Sequence, residues 1–168
     1  MDNNNYNLED LMSRLISHLE QYMQANAIAH PVMVGIHRSG VWVARELHRR
    51  MGLREELGEL NVSFYRDDFN RSGLPVQTEP SRLPFSIEDR HIILVDDVIH
   101  SGRTVRAAMN ELFDYGRPAS IILSVLVVRK QRELPIEPQV YALREEPGQE
   151  FSYQISGPEP LEMELVRK

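Results

Sequence analysis

Residues Ile92-Ile-Leu-Val-Asp-Asp-Val-Ile-His-Ser-Gly-Arg-Thr104 carry the strongest structural signal in this chain. The apolar start is typical of a strand that is buried on both faces of a parallel sheet. Two adjacent carboxylates, Asp96 and Asp97, follow it, and a short loop then leads into a helix. Because parallel sheets bind ligands beyond the carboxyl ends of their strands, this stretch predicts a ligand site there.

The loop has the chemistry of an anion site. Backbone N–H groups and the start of the helix attract negative charge. Gly102 allows the backbone to approach a phosphate closely, and Ser101 and Thr104 add hydroxyl donors. The preceding carboxylates suit a sugar with paired hydroxyls, or Mg²⁺ held partly by the ligand. The alternative is a plain strand-to-helix turn in which the aspartates only cap the helix.

The regions on either side alternate between strand and helix patterns. The apolar spacing predicts three helices, over Leu8–Met23, Val41–Met51 and about Arg103–Tyr115. Asn7 would cap the first helix, and Gly52 would end the second. Between and after them the pattern predicts strands over Val32–Ile36, Leu60–Tyr65, His91–Val95 and Ser120–Val128. This order predicts an α/β fold with a doubly wound, mostly parallel sheet. The long polar stretch Arg66–Ser86 is typical of a lid or binding loop.

Composition narrows the class of protein. The chain has 168 residues, which fits one domain, and a net charge of −6, which does not advertise a nucleic-acid binder. It contains no cysteine, no apolar run that could span a membrane, and no secretory pattern at its start. We therefore expect a cytoplasmic protein.

Two levels of resemblance to known proteins follow from these motifs. The whole of Ile92–Thr104 resembles the fingerprint of the type I phosphoribosyltransferases, and no Gly-x-Gly-x-x-Gly follows any strand to favour a dinucleotide fold. Four further segments resemble the PyrR family of pyrimidine-operon attenuators and uracil phosphoribosyltransferases: Phe64–Phe69, Val95–Met109, Gly116–Pro118 and Arg132–Ile136. The resemblance covers roughly residues 8 to 136.

This resemblance implies a reaction and an architecture. Phosphoribosyl pyrophosphate (PRPP) and uracil would give UMP and pyrophosphate, with Mg²⁺ as cofactor. The chain would be one phosphoribosyltransferase domain over residues 1–168, with a core at about 30–130. A small hood would comprise about 131–168 together with the N-terminal helix. A homodimer or higher homo-oligomer is also implied.

The resemblance also assigns roles to individual residues. Asp96 and Asp97 would hold the ribose hydroxyls, or the metal indirectly through ligand or water, and Arg66 would close a lid over pyrophosphate. The 5′-phosphate would be bound by Val98, Ile99, His100, Ser101, Gly102, Arg103 and Thr104. Pyrophosphate would be bound by His37, Arg38, Ser39 and Gly40. The base would contact Val128 and Arg129. Two alternatives stay open: Arg66 pairs with a neighbouring aspartate on the surface, and His37 is bonded only to backbone.

The chain departs from the family pattern at three places. His37 and Ser39 replace arginines of the pyrophosphate loop. His100 stands where 6-oxopurine transferases carry an aspartate and the family carries tyrosine, which favours a pyrimidine substrate. Val128-Arg-Lys-Gln131 replaces an Asp-Arg-Gly-His sequence beside the expected base pocket.

A second function of a different class is also implied. PyrR proteins bind the leader of pyrimidine messenger RNA, and UMP strengthens that complex, so the alternative is an RNA-binding attenuator with weak or no catalysis. A basic surface for RNA would comprise Arg14, Arg71, Lys130 and Arg132. Acidic residues dominate from Glu133 to Glu164, which argues against this function.

Overall fold

The computed structural model describes residues 6–62 and 80–168. At its centre lies a five-stranded, wholly parallel sheet with the strand order β2-β1-β3-β4-β5, and two further strands form a separate antiparallel hairpin. The strands are β1 (Val32–Ile36), β2 (Gly58–Leu60), β3 (His91–Ile99), β4 (Ser120–Val128), β5 (Val140–Arg144), β6 (Phe151–Ser156) and β7 (Glu162–Arg167). The predicted α/β class with a mostly parallel sheet is confirmed.

Helices cover both faces of the sheet. They are α1 (Leu8–Ala25), α2 (Ser39–Met51) and α3 (Arg103–Tyr115). Alternate strand residues point to opposite faces, so Ile93 packs in the cluster with α1 and α2, whereas Ile92 packs in the cluster with α3. The doubly wound arrangement is therefore confirmed.

The helix ends follow the predicted signals. The side chain of Asn7 accepts a hydrogen bond of 3.2 Å from the Asp10 amide at the start of α1. Gly52 ends α2 in the left-handed region, with φ of 62°, and its N–H donates to the carbonyl of His48. Both caps are confirmed.

Two element boundaries differ from the prediction in ways that matter for the site. Helix α2 begins at Ser39, earlier than the predicted Val41, so Ser39 and Gly40 belong to its first turn. Strand β3 continues beyond Val95 to Ile99, because its last residues pair with Val127 and Val128 of β4. An apolar run that is interrupted by two aspartates does not reveal this pairing.

Within the described residues, the predicted strand over Leu60–Tyr65 overlaps the observed one only at Leu60. Strand β2 uses Gly58–Leu60 because these residues pair with β1, and Glu59 also exchanges backbone hydrogen bonds with Arg82. Arg66, the Phe64–Phe69 motif and most of the predicted lid lie outside the described residues.

The C-terminal third contributes to the sheet and to one of its faces. Strand β5 lies within the segment assigned to the hood, yet it is the edge strand beside β4. The hairpin of β6 and β7 buries Ile155 and Met163 in the cluster that contains α1. In the described part of the chain, no helix is long and apolar enough to cross a membrane.

Candidate active site

The predicted pyrophosphate loop meets the acidic pair at the end of β3. The hydroxyl of Ser39 donates a hydrogen bond of 2.5 Å to Oδ2 of Asp97, although the two residues are 58 positions apart. The N-terminus of α2 therefore faces the carboxylates, and the His37–Arg38 peptide bond before it is cis. Two motifs that the sequence assigned to one substrate thus lie side by side.

The close approach of these elements explains Gly40. A methyl group at this position would lie 2.9 Å from Oδ1 of Asp96 and 3.0 Å from the carbonyl oxygen of Val95. These distances are too short for a side chain, so only glycine allows α2 to begin against β3. Gly40 shapes the site by having no side chain.

The two aspartates occupy different environments. Asp96 is only 3% exposed, and its Oδ1 accepts the Asp97 amide at 2.9 Å. Asp97 is half-buried and accepts the amide of Val98 at 2.7 Å in addition to Ser39. Asp97 is therefore the carboxylate that is more accessible to a ligand.

The predicted phosphate loop is shorter than the sequence suggested. Val98 and Ile99 belong to β3, and Ile99 is only 2% exposed, so its side chain is part of the core. The loop proper is His100–Gly102, and Gly102 takes a φ of 93°, which favours glycine. Arg103 and Thr104 begin α3, where the first backbone N–H groups lack acceptors within the helix.

The ring of His37 has a partner that the sequence did not reveal. Its Nε2 lies 3.1 Å from Oε2 of Glu59 on β2, and Glu59 also forms an ion pair of 3.2 Å with Arg45 of α2. The His37 amide donates to the carbonyl of Leu60 at 2.8 Å. Strand β2 thus orients the start of the pyrophosphate loop, and Arg38 beside it is exposed.

The guanidinium of Arg129, which the sequence assigned to the base, is buried and bonded to groups of the protein. This side chain is 4% exposed, forms a 2.5 Å ion pair with Glu146, and donates to the carbonyls of Gly148 and Phe151 at 2.9 and 3.1 Å. A buried guanidinium requires such partners, and here Glu146, Gly148 and Phe151 provide them. Val128 is buried at the end of β4.

His100 lies at the edge of the site, where the sequence placed the base. Partial desolvation lowers the pKa of His100 below its usual value, and the positive charge of nearby Arg129 lowers it further. Both effects favour the neutral imidazole, which offers one donor and one acceptor.

The donor set fits a metal ion that is held mainly by a ligand. Asp96 and Asp97 provide the hard oxygen atoms that Mg²⁺ prefers. Across residues 6–62 and 80–168, no three His, Asp or Glu side chains are close enough together to hold a metal ion by themselves. The indirect, ligand-mediated binding of Mg²⁺ by the acidic pair stays a prediction.

Comparisons with known proteins define the class. A family model described as the phosphoribosyl transferase domain matches residues 3–162. The fold is similar to a hypoxanthine-guanine phosphoribosyltransferase from Bacillus anthracis, with a TM-score of 0.71, 15% identity and coverage of 99% of this chain and 98% of that one. A purine phosphoribosyltransferase from Pyrococcus horikoshii is similar with a TM-score of 0.62, 24% identity and 83% coverage of both chains. The chain is a phosphoribosyltransferase.

Closer relatives define the family. A protein of Pseudomonas aeruginosa named bifunctional protein PyrR is 49% identical over 158 residues, which cover 94% of this chain and 93% of the relative. A protein of the same name from Nitrosococcus oceani is 47% identical over 161 residues, covering 95% of this chain and 91% of the relative. The chain belongs to the PyrR family, which confirms the resemblance found in its motifs.

Proposed function

We propose that this protein transfers ribose 5-phosphate from PRPP to uracil, giving UMP and pyrophosphate. The hydrogen bond between Ser39 and Asp97 carries the proposal, because it joins the pyrophosphate loop to the ribose carboxylates. The phosphate loop follows directly on the same strand. One edge of the sheet therefore has a site for each charged part of PRPP.

Catalysis in this site is mainly positioning and electrostatics. Positive charge develops on the ribose as the bond to pyrophosphate breaks, and the neighbouring carboxylate of Asp97 stabilises it. The amides at the start of α2 receive the negative charge on pyrophosphate. Mg²⁺, when bound, would neutralise part of that charge.

The choice of uracil is supported at the base side of the site. A neutral His100 offers a donor and an acceptor to the polar edge of a pyrimidine, and no aspartate stands in its place to meet a purine. Arg129 acts indirectly, since it holds the turn that contains Glu146 and Gly148.

Product formation tests the proposal directly. Incubation with PRPP, Mg²⁺ and labelled uracil is expected to yield UMP. Asp97→Asn is expected to lower kcat by about 100-fold or more, because a preorganised charge beside the reacting ribose is lost. Asp114→Asn, which changes an exposed aspartate at the end of α3, serves as the matched control and is expected to keep full activity.

Assays with other bases in place of uracil could contradict the proposed substrate. Turnover of hypoxanthine, guanine or orotate without turnover of uracil would show that the base is wrongly assigned. Full activity of Asp97→Asn would show that the acidic pair is not the ribose site.

The name of the relatives supports a second function. A bifunctional family predicts a regulatory role beside catalysis, and binding of pyrimidine leader RNA is the activity that we propose for it. Of the basic residues predicted for RNA, Arg14 and Lys130 are exposed, Arg132 forms an ion pair with Glu137, and Arg71 lies outside the described residues. Cytoplasmic location, the division into core and hood, and assembly into a homo-oligomer remain predictions.

A further inference from the structure

The segment Arg132–Leu134 holds the phosphate loop from behind. Nη1 of Arg132 donates to the carbonyl oxygen of His100. The amides of Glu133 and Leu134 both donate to the carbonyl oxygen of Ser101, at 3.0 and 3.1 Å. Two consecutive carbonyl groups of the loop are therefore bonded to one neighbouring segment, which we call the brace.

The brace packs against the loop, and two ion pairs hold it in place. The side chain of Arg132 is only 10% exposed, and its Nε and Nη2 lie 3.3 and 3.1 Å from Oε1 of Glu137. Nε of Arg103 lies 2.6 Å from Oε2 of Glu133. Arg132 and Leu134 also come within 3.5 Å of the position where a methyl group on Gly102 would lie. The loop therefore rests directly against the brace.

Peptide geometry determines what this arrangement does to the loop. The peptide bonds between His100, Ser101 and Gly102 are trans, so each C=O points opposite to the N–H of the same peptide plane. Because both carbonyls point toward the brace, the amides of Ser101 and Gly102 point away from it. Donors that are aligned before binding cost less free energy to organise around an anion.

We propose that the brace aims the amides of Ser101 and Gly102 at the 5′-phosphate, and that Arg132 is the positioning residue that fixes the Ser101 amide without touching the substrate. The inference rests on the proposed function of this loop as the 5′-phosphate site. It gives a physical role to the Arg132–Ile136 motif, which the reaction itself does not explain.

The test compares two arginines that share one partner. Arg144 forms an ion pair of 3.2 Å with Glu137, as Arg132 does, but its cation packs over Tyr141. Arg132→Met and Arg144→Met both remove one cation from Glu137. Only Arg132→Met releases the carbonyl of His100, so the pair separates the brace from the general effect of losing an ion pair.

The measurement is binding of PRPP and of pyrophosphate by calorimetry with Mg²⁺ present. In Arg132→Met we expect Kd for PRPP to rise roughly tenfold, the order of one charge-assisted hydrogen bond, while Kd for pyrophosphate, which lacks the 5′-phosphate, stays unchanged. Arg144→Met is expected to bind both ligands like the wild type. Arg132→Lys, which keeps one donor, is expected to recover part of the affinity.

Several results would overturn the proposal. They are wild-type affinity of Arg132→Met for PRPP, an equal loss for PRPP and pyrophosphate, and an equal loss in Arg144→Met. Failure of the uracil assignment is a separate outcome, because a protein that forms no UMP but binds PRPP still allows this comparison.

Discussion

At the scale of single residues, the site depends on side chains that are absent as much as on those that are present. Gly40 permits contact between α2 and β3, and Gly102 permits the left-handed turn before α3. The neighbours of Gly40 are the backbone of Val95 and the carboxylate of Asp96, which are fixed in the sheet. A side chain at Gly40 therefore cannot be accommodated by a small rotation.

Gly40→Ala is expected to lower activity at least tenfold and to cost about 1–3 kcal/mol of stability, because the added methyl group pushes α2 away from Asp96. The checks are UMP formation and unfolding in urea. Gly52→Ala is the control: nothing lies within 4 Å of its added methyl group, but its φ of 62° is strained. It is expected to lose about 1 kcal/mol of stability and to keep its activity. Equal activity of the two variants would contradict this account of Gly40.

At the scale of elements, an ion network fastens α1 to α2. Arg50 donates two hydrogen bonds to Glu9, at 2.7 and 2.6 Å, and a third of 2.6 Å to Glu46. Glu46 also accepts from Arg49 at 2.6 Å. These bonds lower the pKa of Glu46 from 4.5 to about 2, with Arg49 the largest cause and Arg50 the next.

Glu46→Gln is expected to lower the free energy of unfolding by about 1 kcal/mol at pH 7. The folded-state pKa lies below the unfolded one, so the stabilisation by Glu46 is complete above pH 4.5 and is lost as pH falls through about 2. Urea unfolding of wild type and variant should therefore converge near pH 2. Glu20→Gln, on an exposed position of α1, is expected to change stability little at either pH. A wild-type-to-variant difference that persists unchanged at pH 2 would contradict the role of the ion network.

At the scale of the whole molecule, residues from near the two ends of the described chain meet beside the end of β4. The hydroxyls of Tyr6 and Tyr153 both donate to Oε2 of Glu145, at 2.6 and 2.5 Å, and their rings meet edge-on with centroids 5.5 Å apart. The amide of Glu145 donates to the carbonyl of Val128. The N-terminal segment and the C-terminal hairpin are therefore joined at the end of β4.

The overall charge bears on the second proposed function. With a net charge of −6, RNA binding has to rely on local basic residues, such as the exposed Arg14 and Lys130. A pyrimidine leader transcript is expected to shift in a gel at low salt, more strongly with UMP and less as salt rises. The double variant Arg14→Gln, Lys130→Gln is expected to weaken the shift and to leave UMP formation unchanged. If the transcript does not shift even at low salt, the proposed RNA binding is wrong, and only the proposed enzymatic function stands.

Local signals in the sequence predicted most of the fold. The strand-to-helix turn at Ile92–Thr104 and the caps at Asn7 and Gly52 depend on neighbours within a few residues, so their patterns are complete in the sequence. The ends of a strand were less predictable where pairing with a neighbouring strand decides them. Val98 and Ile99 looked like loop because they follow two aspartates, and only pairing with β4 makes them strand.

The sequence by itself determined the class of this protein, because one contiguous stretch contains the strand, the acidic pair and the phosphate loop. Only the tertiary structure decided which distant groups meet there. Ser39 bonds to Asp97 across 58 positions, Arg132 to His100 across 32, and Arg129 to Glu146 across 17. Periodicity and motif spacing carry no information about such pairs, because the packing of α2 and of the segments that follow β4 brings them together.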